Sequence, residues 1–283
     1  MKKTDLLENK LKTKGILAFL IIISVIALLC SLLIKRGSDI ANNEVNRYLS
    51  EISQQTSYKV NQGIDMNIDK LKYLTTKIEG RDEDGAIITG TGFFVRINDA
   101  VYIVTASHVT ENLKEMKLSL RYKVGEHIAL IDYPCSEFRL SVPEYDIALI
   151  PIADMQNEFK EVTGYPMYFG CLTAERILKK EELLNVETLS EVVMVGYPSG
   201  ITSSIWKYPI VQKGTLASAP CECSENYVNI SAVGGSSGSP LLLLGETPQL
   251  IGIMSQTVLE NPISSANIGI YTQGYHILEL CKK

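Results

Sequence analysis

The chain is poor in the residues from which metal centres and nucleic-acid surfaces are built. Histidine occurs only three times in 283 residues, at His108, His127 and His276. The six cysteines are Cys30, Cys135, Cys171, Cys221, Cys223 and Cys281. Cys221 and Cys223 would point to one face of a strand, but two thiols with no second ligand pair nearby do not make a zinc site. No metal is therefore expected. The five cysteines after Cys30 cannot all pair within one chain, and their spacing leaves open whether they are thiols or form one or two disulfides. No basic block follows residue 36 and the net charge is −5, which argues against a nucleic-acid partner. There is no internal repeat.

What is present begins with one long apolar run. Residues 15–34 (GILAFLIIISVIALLCSLLI) carry no charge, and at about 1.5 Å per residue they match a hydrocarbon core about 30 Å thick. The run predicts a transmembrane helix. A cleaved signal peptide or a buried soluble helix are the alternatives. A signal core is shorter, at about 7–15 residues, and ends in small residues, whereas this run closes on Leu32-Leu33-Ile34-Lys35-Arg36. The bulky Leu29 before Cys30 argues against a lipidated cysteine. Lys2, Lys3, Lys10, Lys12 and Lys14 precede the run, against Lys35 and Arg36 after it. That bias predicts a cytoplasmic tail over 1–14 and everything after the helix outside the cytoplasm, periplasmic or extracellular.

Over 45–78 apolar residues recur at Val45, Leu49, Ile52, Val60, Ile64, Ile68, Leu71 and Ile78, a three-to-four spacing interrupted near Gly63. Residues 35–79 are accordingly expected to form a helical stalk or linker. One reading is a short coiled coil that makes a homo-oligomer; the other is a helix packed on the following domain or the membrane surface.

After Gly80 the pattern changes to short apolar runs separated by turns. Strands are expected at 86–97, 100–105, 116–121, 127–131, 147–150, 192–196, 209–217, 227–231, 240–244, 250–255 and 269–272. Helices are expected at 173–184 and 275–281. Many short strands at this spacing favour an all-β sandwich or barrel, and the roughly 200 residues of 80–283 suffice for one large core or two small ones.

Three segments of this region carry chemistry. Val104-Thr105-Ala106-Ser107-His108-Val109 precedes Tyr145-Asp146-Ile147-Ala148-Leu149, which precedes Gly234-Gly235-Ser236-Ser237-Gly238-Ser239-Pro240. A serine hydroxyl is a weak nucleophile near neutral pH, so Ser237 needs a base that takes its proton and returns it. Histidine titrates in the right range for both steps. His108 is the expected base, with His127 in an ordinary strand and His276 near the terminal helix. Asp146, leading directly into an apolar strand, would accept a hydrogen bond from the second ring nitrogen of His108 and fix its tautomer. Its rivals are Asp132 and Asp154, and Ser236 competes with Ser237.

In this order the motifs resemble those of trypsin-like (chymotrypsin-fold) serine proteases, in particular the bacterial trypsin-like and high-temperature-requirement enzymes. Gly90-Thr91-Gly92-Phe93 resembles the family's first-barrel strand, Thr105-Ala106-Ser107-His108 its TA-x-H segment, and Asp146-Ile147-Ala148-Leu149 its aspartate segment. Gly196-Tyr197-Pro198-Ser199-Gly200 resembles a bacterial turn, and Gly235-Ser236-Ser237-Gly238-Ser239-Pro240 the nucleophile loop, whose register selects Ser237. The resemblance implies two antiparallel six-stranded barrels with a cleft between them, hydrolysis of peptide bonds in peptide or protein substrates through an acyl-enzyme, and no cofactor. It also implies an oxyanion hole made by the amides of Gly235 and Ser237. Nothing after Cys281 leaves room for the peptide-binding domain that often follows in high-temperature-requirement proteases.

Two departures carry expectations of their own. The aspartate that precedes the nucleophile in digestive members, where it pairs with a terminus freed by zymogen cleavage, is Ser236 here. The site is expected to form without amino-terminal cleavage. By the same resemblance Ser231, Ser255, Thr257 and Gly269 fall on the substrate pocket, and an uncharged Ser231 implies small or medium apolar side chains over Lys or Arg. The competing functional readings are a catalytically silent protease-like binding or sensor domain, disfavoured by a complete triad, and an esterase or other acyl transferase.

Overall fold

The computed structural model of the protein describes residues 68–111, 113–135, 140–202, 207–223, 225–245, 247–261 and 264–281. The expected tail, transmembrane helix and most of the stalk lie outside these residues. Among the described residues no helix is long and apolar enough to cross a membrane.

The amino-terminal half is a sheet of β1 (Thr75–Arg81), β2 (Ile87–Ile97), β3 (Ala100–Thr105), β4 (Glu115–Val124), β5 (His127–Cys135), β6 (Leu140–Val142), β7 (Ile147–Pro151) and β8 (Leu172–Thr173). Its order is β5-β4-β1-β2-β3-β7-β6, with β8 added parallel to β2. The carboxy-terminal half comprises β9 (Glu191–Gly196), β10 (Ile210–Leu216), β11 (Asn226–Asn229), β12 (Pro240–Leu243), β13 (Gln249–Asn261) and β14 (Ser264–Gln273). These six close as β10-β11-β14-β13-β12-β9. Four helices are interspersed: α1 (Ser107–Thr110), α2 (Ala153–Thr163), α3 (Lys180–Leu184) and α4 (Tyr275–Leu280).

One of the two expected six-stranded barrels is therefore corrected. The second half is a closed six-stranded barrel, but the first is an eight-stranded sheet whose terminal strands β5 and β6 do not pair with each other among the described residues. Side chains finish what strand pairing leaves open. Met155 and Phe159 of α2 are fully buried in the same cluster as Leu118, Leu120 and Tyr133. The α2 helix was not anticipated from sequence, although Met155 and Phe159 sit at i, i+4 and Gly164 ends the helix at φ 76°.

The strands between the halves are apolar on both faces because each face has its own core. In β2, Phe93, Val95 and Ile97 pack in the seam with Val193, Val195 and Ile253, while Phe94 turns to the core of the sheet. In β9, Val192 and Met194 fill the barrel interior and Val193 and Val195 the seam. This is the period-two alternation of a strand read against two cores at once.

Two local expectations are overturned. Residues 75–79, read as the end of a stalk, belong to β1, whose side chains alternate between buried and partly buried. Ile68, Leu71 and Ile78 imitate helical spacing across a short 3₁₀ segment (Ile68–Tyr73) followed by a strand. The helix expected at 173–184 is broken as well. Ile177 forms a parallel bridge with Leu250, and the Leu178 amide donates to the Leu250 carbonyl at 3.0 Å, so tertiary pairing takes the backbone groups a helix would need and leaves only α3.

Candidate active site

His108 lies on the single turn of α1, directly after β3, and Asp146 caps the 3₁₀ turn Pro143–Tyr145 directly before β7. The two strands pair antiparallel, Thr105 opposite Ala148, so the ends that carry these residues meet. Asp146 is left-handed at φ 51°, a conformation aspartate tolerates better than most residues. Its carboxylate accepts from the ring of His108, with Nδ1 2.9 Å from Oδ2 and 3.0 Å from Oδ1. It also accepts from the backbone amide of His108 at 3.1 Å, from the hydroxyl of Ser107 at 2.9 Å, and from the hydroxyl of Ser255.

Burial alone would raise the Asp146 carboxyl, but hydrogen bonds from His108 and Ser255 and the charge of His108 outweigh it and hold the pKa at about 2. An ionised carboxylate only accepts, so the proton between the two side chains resides on Nδ1. Nε2 of a neutral His108 is then an acceptor, and the ring is 45% exposed.

The barrel supplies the serine loop. Gly235 and Gly238 are left-handed at φ 88° and 84°. A Cβ on Gly235 would lie 2.3 Å from the Tyr197 carbonyl oxygen, and one on Gly238 would lie 2.0 Å from that of Thr91, so the bend admits no side chain at either place. The amides of Ser236, Gly238 and Ser239 donate internally, to Val233, Met254 and Ser236. Those of Gly235 and Ser237 make no such bond among the described residues, which leaves two donors beside the Ser237 hydroxyl. Ser237 is partly exposed, and its hydroxyl donates to the Ser255 carbonyl at 3.1 Å rather than to His108. Ser236 is 2% exposed and its hydroxyl accepts from the Val233 amide.

Thr91 of β2 fastens the two halves at this point. Its amide donates to the Ser237 carbonyl at 2.9 Å, its hydroxyl donates to the Gly235 carbonyl at 2.9 Å, and that hydroxyl accepts from the Tyr197 amide at 3.0 Å.

The four residues assigned to a pocket do not share one environment. Ser255 contacts both partners of the site, its hydroxyl on Asp146 and its carbonyl on Ser237. Thr257 donates to the Ala232 carbonyl at 3.0 Å. Ser231 is exposed, and its carbonyl accepts from the Gln212 amide group. Gly269 is buried on β14, where a Cβ would lie 2.4 Å from Cε of Met254. Sequence reasoning missed Ser107 and the double contact of Ser255. Adjacency to His108 was the only local sign of the first, and nothing local marks the second.

Asp132 and Asp154 are not at the site. Asp132 accepts from Ser119 in the β4–β5 pair, and Asp154 opens α2. His276 pairs with Glu279 at 2.8 Å. Cys221 and Cys223 are joined as a disulfide, while Cys171 and Cys281 are free thiols.

Similar structures are known at low identity. The HtrA-type protease AlgW with a tripeptide aligns at 16% identity with a TM-score of 0.50, covering 76% of this chain and 61% of that one. The Rv3671c protease from M. tuberculosis in its active form aligns at 16% identity and a TM-score of 0.50, covering 80% and 86%. The chain thus spans about three fifths of the length of the first of these, and the likenesses speak for the fold. No curated protein matches the sequence. The sequence profile of the trypsin-like peptidase domain matches residues 90–253, more than half of the chain and the whole stretch from Gly90 through His108 and Asp146 to Ser237. On that match the chain belongs to the trypsin-like peptidase domain family.

Proposed function

We propose that the chain is a membrane-anchored serine endopeptidase in which Ser237 is the nucleophile, His108 the general base and acid, and Asp146 the group that orients the base. The observation that supports this reading is the pairing of an ionised Asp146 with Nδ1 of His108, together with Ser255, whose hydroxyl donates to Asp146 and whose carbonyl accepts from the Ser237 hydroxyl. The Ser237 hydroxyl turns from the Ser255 carbonyl to Nε2 of His108 and passes its proton there as Oγ attacks the scissile carbonyl carbon. The oxyanion that forms is held by the amides of Gly235 and Ser237, each worth about 10²–10³ in rate where such donors have been removed. The imidazolium, stabilised by Asp146, protonates the leaving amine. Water then enters and attacks the acyl carbon, giving a proton to His108, which returns it to Ser237 Oγ as the acyl bond breaks and the carboxylic acid leaves.

The anchor is the uncharged 15–34 run, with the peptidase domain outside the cytoplasm, and the helical spacing upstream of residue 68 supports self-association. Ser236 in place of an aspartate, on a buried turn already satisfied by Val233, supports a site that needs no new amino terminus. The test is labelling of the membrane-bound protein with a fluorophosphonate probe. We expect labelling of the parent and none of Ser237→Ala. Equal labelling of the two, or hydrolysis at the parental rate by Ser237→Ala, would overturn the assignment.

A further inference from the structure

Beyond Asp146 the surface opens into a groove of about 680 Å³ whose wall includes Asp146 and Ser255. Its floor is the outer face of β14, where Ile270 and Thr272 alternate with the interior Tyr271. Thr272 is only 8% exposed, lines the groove, and its hydroxyl makes no hydrogen bond among the described residues. With no protein partner, the hydroxyl is open to whatever fills the groove, water or a polar group of a ligand.

The charge around that hydroxyl says what the partner is. Glu144, Glu222, Glu225 and Glu279 all line the groove. The two basic groups are already committed: Lys180 Nζ lies 2.8 Å from Glu222, and Nδ1 of His276 lies 2.8 Å from Glu279, with its ring stacked on Tyr145 at 3.9 Å. Glu144 and Glu225 have no ion pair among the described residues; the Glu225 carboxylate accepts from the Tyr227 hydroxyl. The groove therefore keeps negative charge that no ion pair among the described residues offsets, together with the Thr272 hydroxyl.

We propose that this groove binds a basic segment of the peptide substrate, with a Lys or Arg side chain reaching Glu144 and Glu225 and a backbone amide of the same segment donating to the Thr272 hydroxyl. The proposal rests on the peptidase reading, and it separates two selectivities. One is the preference for small or medium apolar side chains at the scissile bond that the resemblance implies; the other is the basic residue in the flanking chain.

The experiment scans a single Lys through every position flanking a fixed scissile residue in internally quenched peptides, using the full-length protein. At one or two positions Lys should raise kcat/KM about 3- to 10-fold over Gln, the range two partly exposed charge pairs supply. The gain should fade with added salt. It should shrink about 2- to 5-fold in each of Glu144→Gln and Glu225→Gln, and in part in Thr272→Val, while fluorophosphonate labelling of Ser237 proceeds at the parental rate in all three. Equal turnover of Lys and Gln peptides at every position, or a gain that survives the double Glu144→Gln, Glu225→Gln variant, would overturn the groove assignment while labelling persists. An unlabelled parent would strike instead at the peptidase reading.

Discussion

The closed barrel and the open sheet contribute to the site in different ways. The barrel is held round its circumference by backbone pairing, and it carries the part that must not move: a bend whose Ser236, Gly238 and Ser239 amides are anchored while those of Gly235 and Ser237 stay free. The sheet ends on β5 and β6 and is completed by α2. It carries the part that must exchange partners, an imidazole on a one-turn helix with nearly half its surface exposed. Fixed donors on the rigid half and a proton carrier on the more open half are what preorganised electrostatic stabilisation combined with proton transfer requires.

The largest effect that sharpens this contrast is expected at Asp146. Asp146→Asn leaves the shape of the sheet half intact but reverses the tautomer of His108, and kcat should fall about 10⁴-fold with the barrel unaffected. The same carboxylate is also a stability group. Its folded pKa of about 2 lies below the ordinary aspartate value of about 3.9, so its contribution is complete above roughly pH 4 and is lost as the pH falls towards 2. With the carboxylate partly open to solvent and screened, the amount is about 1–2 kcal/mol. Urea titrations at pH 5 and at pH 2.5 should show the advantage of the parent over Asp146→Asn shrinking at the lower pH; a constant difference would place the stabilisation elsewhere.

The seam comes next in size. Thr91→Val keeps the shape of a fully buried side chain but strands the Gly235 carbonyl and the Tyr197 amide. A loss of about 2–4 kcal/mol is expected from two unsatisfied buried groups, together with a fall of about tenfold in kcat as the serine loop loosens. If stability drops while kcat holds, the two halves are merely glued at Thr91 and not aligned by it.

The smallest effect tests the barrel alone. The Tyr271 hydroxyl is buried with no partner, and burial holds the phenol well above the usual tyrosine range, so it stays neutral. Tyr271→Phe should leave kcat unchanged and raise stability by up to about 1 kcal/mol in a thermal melt. A destabilised variant would mean that the hydroxyl has a role in the core that its geometry does not show.

The parts of this arrangement that are local in sequence were legible in it. Histidine after an apolar run, aspartate before another, and serine among glycines are each defined by immediate neighbours, and the structure sets His108 and Asp146 side by side. What depends on distant partners was not legible. The strand at Thr75–Arg81 exists because β2 and β4 pair with it, and its apolar residues fall at a spacing that reads equally well as helix. Leu178 leaves the expected helix because Leu250 claims its amide. Ser255 was read as a pocket residue because only the folded chain shows that its hydroxyl reaches Asp146, more than a hundred positions away. The i, i+4 pair Met155 and Phe159 could have marked α2, but that these side chains pack with Leu118, Leu120 and Tyr133 is set by distant partners.

The two-faced β2 strand ties correct pairing to chemistry. A slip of one residue against β3 would send Phe93 and Val95 to the core of the sheet and Phe94 to the seam. It would also carry the Thr91 amide about 3.3 Å from the Ser237 carbonyl it now holds. A mispaired chain would thus be at once poorly packed and without an aligned nucleophile, so a newly made molecule would have no competent serine until both halves have docked in the right register, and misfolded copies would pose no proteolytic hazard to their neighbours.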